Sequence, residues 1–204
     1  MVSTVGVAAC GSIDAGAIDT PTTGIASASQ TVPGLGCTPG IPGVAMVPVA
    51  TTVARLSVAV ARPPGWKRTQ RLAWGLAVFG QIAPRGDAAA VVTVNQISAH
   101  VHTADDALRV HNHSITAAGG TNLIVVADPV CGLPGELLTV TQPARGSLPK
   151  RTATMRVVVV KTARKYIAVS LVVEPLTRST SPAFRRDLTT LTATFMVTLD
   201  SPPI

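Results

Sequence analysis

The sequence predicts an all-β protein, and three observations support that class. Residues 188–200 end in an unbroken alternation of polar and apolar side chains, which is the period of a half-buried strand. About eight such segments follow residue 47 at the spacing that is typical of a sandwich or a barrel. No amphipathic helix pattern of useful length lies between them. The prediction is an eight-stranded jelly roll, in which two Greek keys form two facing sheets, with an immunoglobulin-like sandwich as the alternative.

The predicted strands are short segments rich in β-branched residues. In chain order they are residues 50–61, 88–103, 108–116, 123–127, 136–141, 152–161, 165–173 and 188–200. Residues 72–83 are apolar throughout and fit either a helix or a pair of buried strands, with Gly75 and Gly80 favouring strands. Residues 162–164 form a hairpin connection, and residues 174–186 form a long polar loop.

Residues 1–46 differ in composition from the rest of the chain. They are rich in Gly, Ala, Ser, Thr and Pro, and the prolines and glycines of residues 31–48 exclude a helix. The glycines there do not form a nucleotide-binding loop, because no strand of the βαβ type precedes them. We therefore predict an extended N-terminal arm over residues 1–46 and a jelly-roll domain over residues 47–204.

Charged residues are scarce in this chain. They make up 13% of it, against roughly 25% in typical soluble domains. Such a composition indicates surface that is hidden in an assembly or in a membrane. The most apolar segment, residues 72–83, is shorter than the roughly 18 residues that a membrane span needs. We therefore predict association with further copies of the chain and no membrane partner.

The three cysteines are Cys10, Cys37 and Cys131. An odd number without ligand spacing predicts reduced thiols rather than a disulfide framework. Residues 7–9, which precede Cys10, resemble the lipid-attachment box of bacterial lipoproteins. No basic residue lies before them, and the apolar run is shorter than that of a signal peptide, so export is the minority interpretation.

All four histidines lie in two His-x-His motifs. They are His100, His102, His111 and His113. On two paired strands, each motif would present both imidazoles on one side, where zinc or copper would accept them. The motifs resemble those of cupins and of copper–zinc superoxide dismutase, but the further glycines, histidines and cysteines of those families are missing. The histidines are therefore weak metal candidates, against the alternative of a polar strand face, and we predict no cofactor.

Catalytic signatures are absent from the sequence. Asp105 and Asp106 are adjacent, so on a strand they would point apart, which is poor geometry for a pair of acid–base carboxylates. The chain has no G-x-S-x-G motif and no signalled Cys–His pair. We predict that the protein is not an enzyme, and a metal-dependent β-barrel enzyme that uses the four histidines is the least favoured hypothesis.

Basic residues outnumber acidic ones after residue 50, and the net charge of the whole chain is +7. Clusters of bases with few acids favour contacts to nucleic-acid phosphates, which are sequence-blind and salt-sensitive, over simple solubilising charge. The candidate contacts are Lys67, Arg68, Arg71, Arg145, Lys150, Arg151, Arg185 and Arg186. A further cluster, Lys161 with Arg164 and Lys165, lies at the predicted hairpin. Six aromatic residues are too few for a base-stacking platform, so base-specific recognition is not expected.

The order of these segments resembles that of the coat proteins of small icosahedral RNA viruses, especially the tymovirus-like group. The likeness is strongest over residues 165–204, which are similar in layout and polarity to the closing strands and tail of those proteins. The resemblance implies a virion protein, present in the host cytoplasm during assembly, whose copies form an icosahedral shell around genomic RNA. The alternative is a phage capsid-decoration or tail protein, or another oligomeric β-sandwich surface protein.

Overall fold

Two antiparallel β-sheets and two α-helices form the part of the chain that the structure describes. The structure is a computed structural model and describes residues 41–70, 77–97, 100–163, 165–177 and 181–199. These residues lie within one compact unit, Val32–Ile204. Most of the arm predicted over residues 1–46 lies outside the described residues, so the arm stays a prediction.

Ten strands and two helices follow one another along the described part of the chain. The strands are β1 Ala45–Val49, β2 Leu56–Arg62, β3 Lys67–Arg68, β4 Ala77–Ile82, β5 Ala88–Gln96, β6 Thr121–Ala127, β7 Gly135–Gln142, β8 Arg151–Lys161, β9 Tyr166–Pro175 and β10 Met196–Leu199. The helices are α1 Ala104–Ala117 and α2 Pro182–Ala193. A small sheet has the order β1-β2-β10, and a large sheet has the order β3-β4-β5-β9-β8-β7-β6.

The predicted mostly β class is confirmed, but this strand order differs from the two Greek keys of a jelly roll. In the large sheet, neighbours in space are also neighbours in sequence at every step except β5–β9. At that step β9 pairs with β5 along its length, from Ala88↔Pro175 to Gln96↔Ile167. The large sheet is therefore a meander with one crossover, and the chain between β5 and β6 supplies a helix.

Helix α1 replaces the strand predicted over residues 108–116. Thr103 caps the helix, because its side chain accepts a hydrogen bond from the backbone N–H of Asp106. Leu108, His111 and Ile115 are buried on one face, which is helical spacing. The apolar residues of this segment fit both the period of two of a strand and the period of 3.6 of a helix. The capping residue Thr103 is the feature that identifies the helix.

Helix α2 replaces the first half of the predicted last strand, and only Met196–Leu199 is a strand. Ser181 caps α2 by accepting from the N–H of Phe184, and Pro182 occupies the first turn. Two threonine hydroxyls of the alternating segment donate to carbonyls four residues earlier, Thr192 to Leu188 at 2.9 Å and Thr194 to Thr190. Threonine spacing alone therefore did not identify a strand.

Strand β9 divides the protein into two hydrophobic cores. Ile167, Val169 and Leu171 face the first core, which fills the space between the large sheet and the small sheet with α2. Tyr166 and Ala168 face the second core, which lies between the large sheet and α1. The described residues thus form three layers, with the large sheet in the middle.

Polar contacts hold helix α2 at its middle and near its C-terminus. The indole Nε1 of Trp66 donates to Asp187 Oδ2 at 2.8 Å. Arg156 of β8 donates to the carbonyl oxygen of Thr192 near the C-terminus of α2, and its Nη2 lies 2.8 Å from Asp128 Oδ1. A cation beside the last carbonyls complements the helix dipole.

Cys131 lies in the connection between β6 and β7 and is disulfide-bonded. The prediction of three reduced thiols is therefore wrong. The other two cysteines, Cys10 and Cys37, lie outside the described residues. The sequence did not show that Cys131 forms a disulfide, since the spacing of cysteines does not determine which of them pair.

In the described part of the chain, no helix is both long enough and apolar enough to cross a membrane.

A buried ion pair joins the start of β8 to the end of β9. Arg151 Nε lies 2.9 Å from Glu174 Oε2, and its Nη2 lies 3.2 Å from Oε1. The two side chains are only 4% and 8% exposed. Because both charges have left water, each is compensated mainly by the other, and the Arg151 guanidinium also donates to the carbonyl oxygens of Pro143 and Pro149.

We expect Glu174→Gln to lower the free energy of unfolding by about 3–5 kcal/mol, because it leaves the Arg151 charge buried without its counter-charge. Urea denaturation measures this change. The control is Arg109→Gln, which breaks the exposed Asp106–Arg109 pair and is expected to cost less than about 1 kcal/mol. Equal costs for the two variants would contradict the prediction.

Candidate functional site

A cleft of about 630 Å³ opens between the ends of the two sheets, and we call it the inter-sheet cleft. The large sheet contributes the ends of β5 and β9 and the hairpin between β8 and β9. On the small-sheet side, the cleft is lined by the β1–β2 loop and by Leu199 at the end of β10. Its volume lies within the range of small-molecule binding sites.

The floor of the inter-sheet cleft is apolar and continues the first core. Ile167 of β9 is 3% exposed and belongs to that core, and Val53 and Val94 pack against it. Leu199 is 36% exposed and borders the same space. The sheets thus end before the core is fully covered, which leaves apolar surface accessible from one side.

The rim of the inter-sheet cleft is cationic. Arg55 comes from the β1–β2 loop, and Lys161 and Lys165 come from the two sides of the β8–β9 hairpin. Lys165 donates to Gln96 Oε1. Lys161 also lines the cleft, but its Nζ lies 5.9 Å from the centre of the Tyr166 ring, which faces the second core, so its charge lies on the other face of the large sheet. None of the described residues that line the cleft is acidic.

The backbone of Arg55 adopts a left-handed conformation, with φ of 63°. This region is sparsely populated by residues other than glycine, asparagine and aspartate. In the same loop, the Thr51 hydroxyl donates to the carbonyl of Leu56 at 3.2 Å. The loop therefore has a defined turn at the edge of the cleft.

Two further clefts have different charge patterns. One of about 620 Å³ lies beside the start of α2, where Arg85 and Arg186 are accompanied by Asp87 and Asp187. Another, of about 390 Å³, is lined by a larger basic set and by Phe184 of α2. Among the lining residues that the structure describes, the cleft of about 390 Å³ also lacks acids and contains apolar residues, but it is smaller than the inter-sheet cleft, and its Arg151 is already paired with Glu174.

The four histidines do not come together in one site. His111 and His113 lie on α1, where residues two positions apart face different directions. His111 is buried against the large sheet, and His100 and His102 precede the helix and are exposed. The strand pairing that the metal hypothesis required is absent here, because α1 occupies the segment. Among the described residues, no group of three or more His, Cys, Asp or Glu side chains is arranged to hold a metal ion.

His111 and Ser170 form a buried polar contact rather than an open catalytic pair. The Nε2 of His111 lies 3.3 Å from Ser170 Oγ, and Ser170 on β9 is fully buried. Burial lowers the pKa of His111 from 6.5 to about 4. The imidazole is therefore neutral in the folded protein at neutral pH and packs between α1 and the sheet.

The structure brings some of the predicted nucleic-acid contacts together and separates others. Lys150, Arg151 and Arg185 line the cleft of about 390 Å³, although Arg151 is already paired with Glu174. Lys67 and Arg68 lie on the short strand β3, where the Arg68 guanidinium is 5.6 Å from the centre of the Phe79 ring.

The remaining predicted contacts are dispersed. Arg186 borders the cleft beside the start of α2, and Arg145 lies in the turn between β7 and β8. Arg71 lies outside the described residues. Contact of the eight residues with RNA stays a prediction.

The sequence contained part of the signal for the inter-sheet cleft. Lys161 and Lys165 stood out as a basic cluster at a hairpin, but they were not chosen as contacts. Arg55 was not singled out, because it is a lone base in an otherwise small and apolar segment. The β5–β9 pairing that assembles the floor could not be read from local periodicity.

No family model matches this chain, and no curated protein matches it. Its fold is similar to that of LpqN, a protein of Mycobacterium tuberculosis described as involved in cell envelope biogenesis. That match has a TM-score of 0.56 at 12% identity and covers 76% of this chain and 92% of LpqN. At this identity, the likeness shows the fold alone.

Two further solved structures are more distant. Cyanobacterial PsbP of Synechocystis matches with a TM-score of 0.44 at 15% identity, over 80% of this chain and 99% of its own. The Ran-binding protein Mog1p of Saccharomyces cerevisiae matches with a TM-score of 0.43 at 17% identity, over 74% and 87%. Neither likeness is strong enough to support an inference.

The prediction of a viral coat protein is wrong. The fold is similar to that of LpqN, whose description is not that of a capsid subunit, and its strand order differs from that of a jelly roll. The phage capsid-decoration alternative finds no support in the same likeness. The virion location, which the resemblance implied, stays a prediction. The resemblance failed over residues 165–204 because the first half of its supposed last strand belongs to helix α2.

We expect the stability of the protein to fall as the pH is lowered from about 6.5 to about 4. In this window unfolded His111 binds a proton and folded His111 does not, so protonation favours the unfolded state. The loss from this one residue is on the order of 3 kcal/mol, at about 1.4 kcal/mol per pKa unit.

Denaturation of the wild type and of His111→Gln across this pH range measures the effect. The variant cannot titrate there, so its stability should depend less on pH. His113→Gln, which removes an exposed imidazole from the same helix, should keep the wild-type slope. If His111→Gln kept that slope too, His111 would not be its source.

Proposed function

We propose that this protein is a binding protein that holds an amphiphile with an anionic headgroup in the inter-sheet cleft. The observation that carries the proposal is the juxtaposition of an apolar floor, Val94 and Ile167, with the rim cations Arg55 and Lys165 and no acidic lining residue among those described. An apolar ligand would leave the cations without a counter-charge. A simple anion would leave the floor unused.

The two parts of the cleft favour different parts of such a ligand. The apolar chain lies on the floor, where burial stabilises by about 25 cal/mol per Å² of apolar surface. The headgroup lies at the rim, where Arg55 can donate two parallel hydrogen bonds to a carboxylate or phosphate. Lys165 adds positive charge on a flexible stem, so headgroups of several shapes fit.

The proposal also includes export from the cytoplasm. A structural disulfide at Cys131 supports an oxidising compartment, since cytosolic proteins rarely keep one. Residues 7–9 before Cys10 resemble a lipid-attachment box, which agrees with that location. LpqN, which shares the fold, is described as involved in cell envelope biogenesis. In such a protein the arm predicted over residues 1–46 would serve as a tether.

We also propose that the protein does not catalyse a reaction in this cleft. Among the described residues, those that line the inter-sheet cleft include no histidine, cysteine or carboxylate, so the cleft offers binding groups but no general base. Held in this way, a ligand would be carried or presented rather than converted.

We expect oleate to bind and oleyl alcohol to bind at least about tenfold more weakly, because only oleate carries a charge for the rim. Titration of the purified protein with each ligand by calorimetry measures the ratio. The double variant Arg55→Gln/Lys165→Gln should weaken oleate binding by about tenfold or more while changing oleyl alcohol little.

The matched control is Lys150→Gln/Arg185→Gln, which removes the same charge from the cleft of about 390 Å³. Equal weakening by both double variants would attribute binding to overall charge and contradict the proposal. Leu199→Asn tests the floor, since it should weaken both oleate and the alcohol. Loss of single-stranded RNA binding in the Lys150/Arg185 variant alone would support the separate prediction of phosphate contacts.

A further inference from the structure

The two edges of the large sheet differ in length and in charge. One edge is β3, which has only two residues, Lys67 and Arg68, and both are exposed. The other edge is β6, which has seven residues, Thr121–Ala127, and none of them is charged. Natural sheets protect their edges with short strands and lysines, because an open edge pairs with other strands. The β3 edge has both of these protections, and β6 has neither.

Strand β6 is exposed on both faces. Its consecutive residues Ile124, Val125 and Val126 are 61%, 43% and 55% exposed. Strand β7 pairs with it on one side only, from Val125↔Leu138 to Ala127↔Glu136. A bulge between Thr121 and Ile124 disturbs only the first part of the strand. The second part is therefore a regular, apolar edge whose outward backbone groups are available to a further strand.

We propose that β6 pairs antiparallel with β6 of a second copy of this chain, about a two-fold axis at Val125. In this register Val125 lies opposite Val125 of the partner subunit, and Ile124 lies opposite Val126 of the partner subunit. The two large sheets then form one continuous sheet across the dimer. This inference does not depend on the ligand proposed for the inter-sheet cleft.

The absence of charge on β6 makes this edge compatible with a second copy as the occupant. A two-fold axis brings identical residues together, so a chain of net charge +7 repels its own copy at most surfaces. Strand β6 contributes no charge to such a contact. The nearest acids already have partners, since Glu136 accepts from Asn112 at 2.7 Å and Asp128 pairs with Arg156.

The chemistry of the edge also specifies what it accepts. An uncharged β-branched strand pairs best with another extended strand of the same kind, because cross-strand pairs of β-branched side chains stabilise a sheet. Every copy of this chain presents such a strand in β6 itself. The resulting contact is small, so we expect a weak dimer in the micromolar range rather than an obligate one.

The test is sedimentation velocity of the full-length protein over a range of concentrations. The wild type should show a monomer–dimer equilibrium. Val125→Lys places two lysines opposite each other on the axis and should raise the dissociation constant at least about tenfold. Val110→Lys is the matched control, since Val110 on α1 is 40% exposed and the same change there should leave the dimer intact.

A mixture provides the decisive arm. Val125→Lys and Val125→Glu should each be monomeric alone, and an equimolar mixture should dimerise, because opposite charges then meet at the axis. Circular dichroism of each variant checks that it is folded. A wild type that stays monomeric throughout, equal effects of Val125→Lys and Val110→Lys, or a mixture that stays monomeric would each overturn the proposal.

Discussion

Burial of strand β9 on both faces is the constraint on which the rest of the structure depends. Alternate residues of this strand enter two separate cores, so each face of the large sheet needs its own cover. The small sheet and α2 cover one face, and α1 covers the other. Because β9 lies between β5 and β8, its end also determines where the first core ends. Ile167 belongs both to that core and to the floor of the inter-sheet cleft. The candidate site is therefore a consequence of how the core terminates.

Local sequence patterns were sufficient for the centre of the large sheet. The segments 152–161 and 165–173 are continuous β-branched runs joined by a short turn, and they became β8 and β9. The helices were missed because their patterns are ambiguous between periods of two and 3.6. In α2 the threonines alternate as in a strand, yet their hydroxyls bond within the helix. The capping residues Thr103 and Ser181 carried the better information, since a cap marks where a helix begins.

The candidate site was less predictable than the fold. Lys161 and Lys165 could be recognised as a cluster because they are close in sequence. Arg55 and Val94 could not be associated with them, because only the packing of the small sheet on the large one brings them together. The His-x-His motifs show the opposite case, in which residues that are close in sequence do not form one site. Their spacing was suggestive only on strands, and a helix disperses the same residues. A motif therefore predicts a site correctly only when the secondary structure assigned to its residues is correct.

In the proposed function, the apolar part and the charged part of a ligand contact two different kinds of structure in the inter-sheet cleft. Regular strands supply most of the floor, where a change of side-chain volume disturbs the core. The rim cations stand on turns and strand ends, where substitution is tolerated far more readily. Descendants of such a chain could therefore exchange one headgroup preference for another by surface mutation while the length of chain accepted stayed the same. Selectivity for the polar end of a ligand is, in this architecture, the trait most open to evolutionary change.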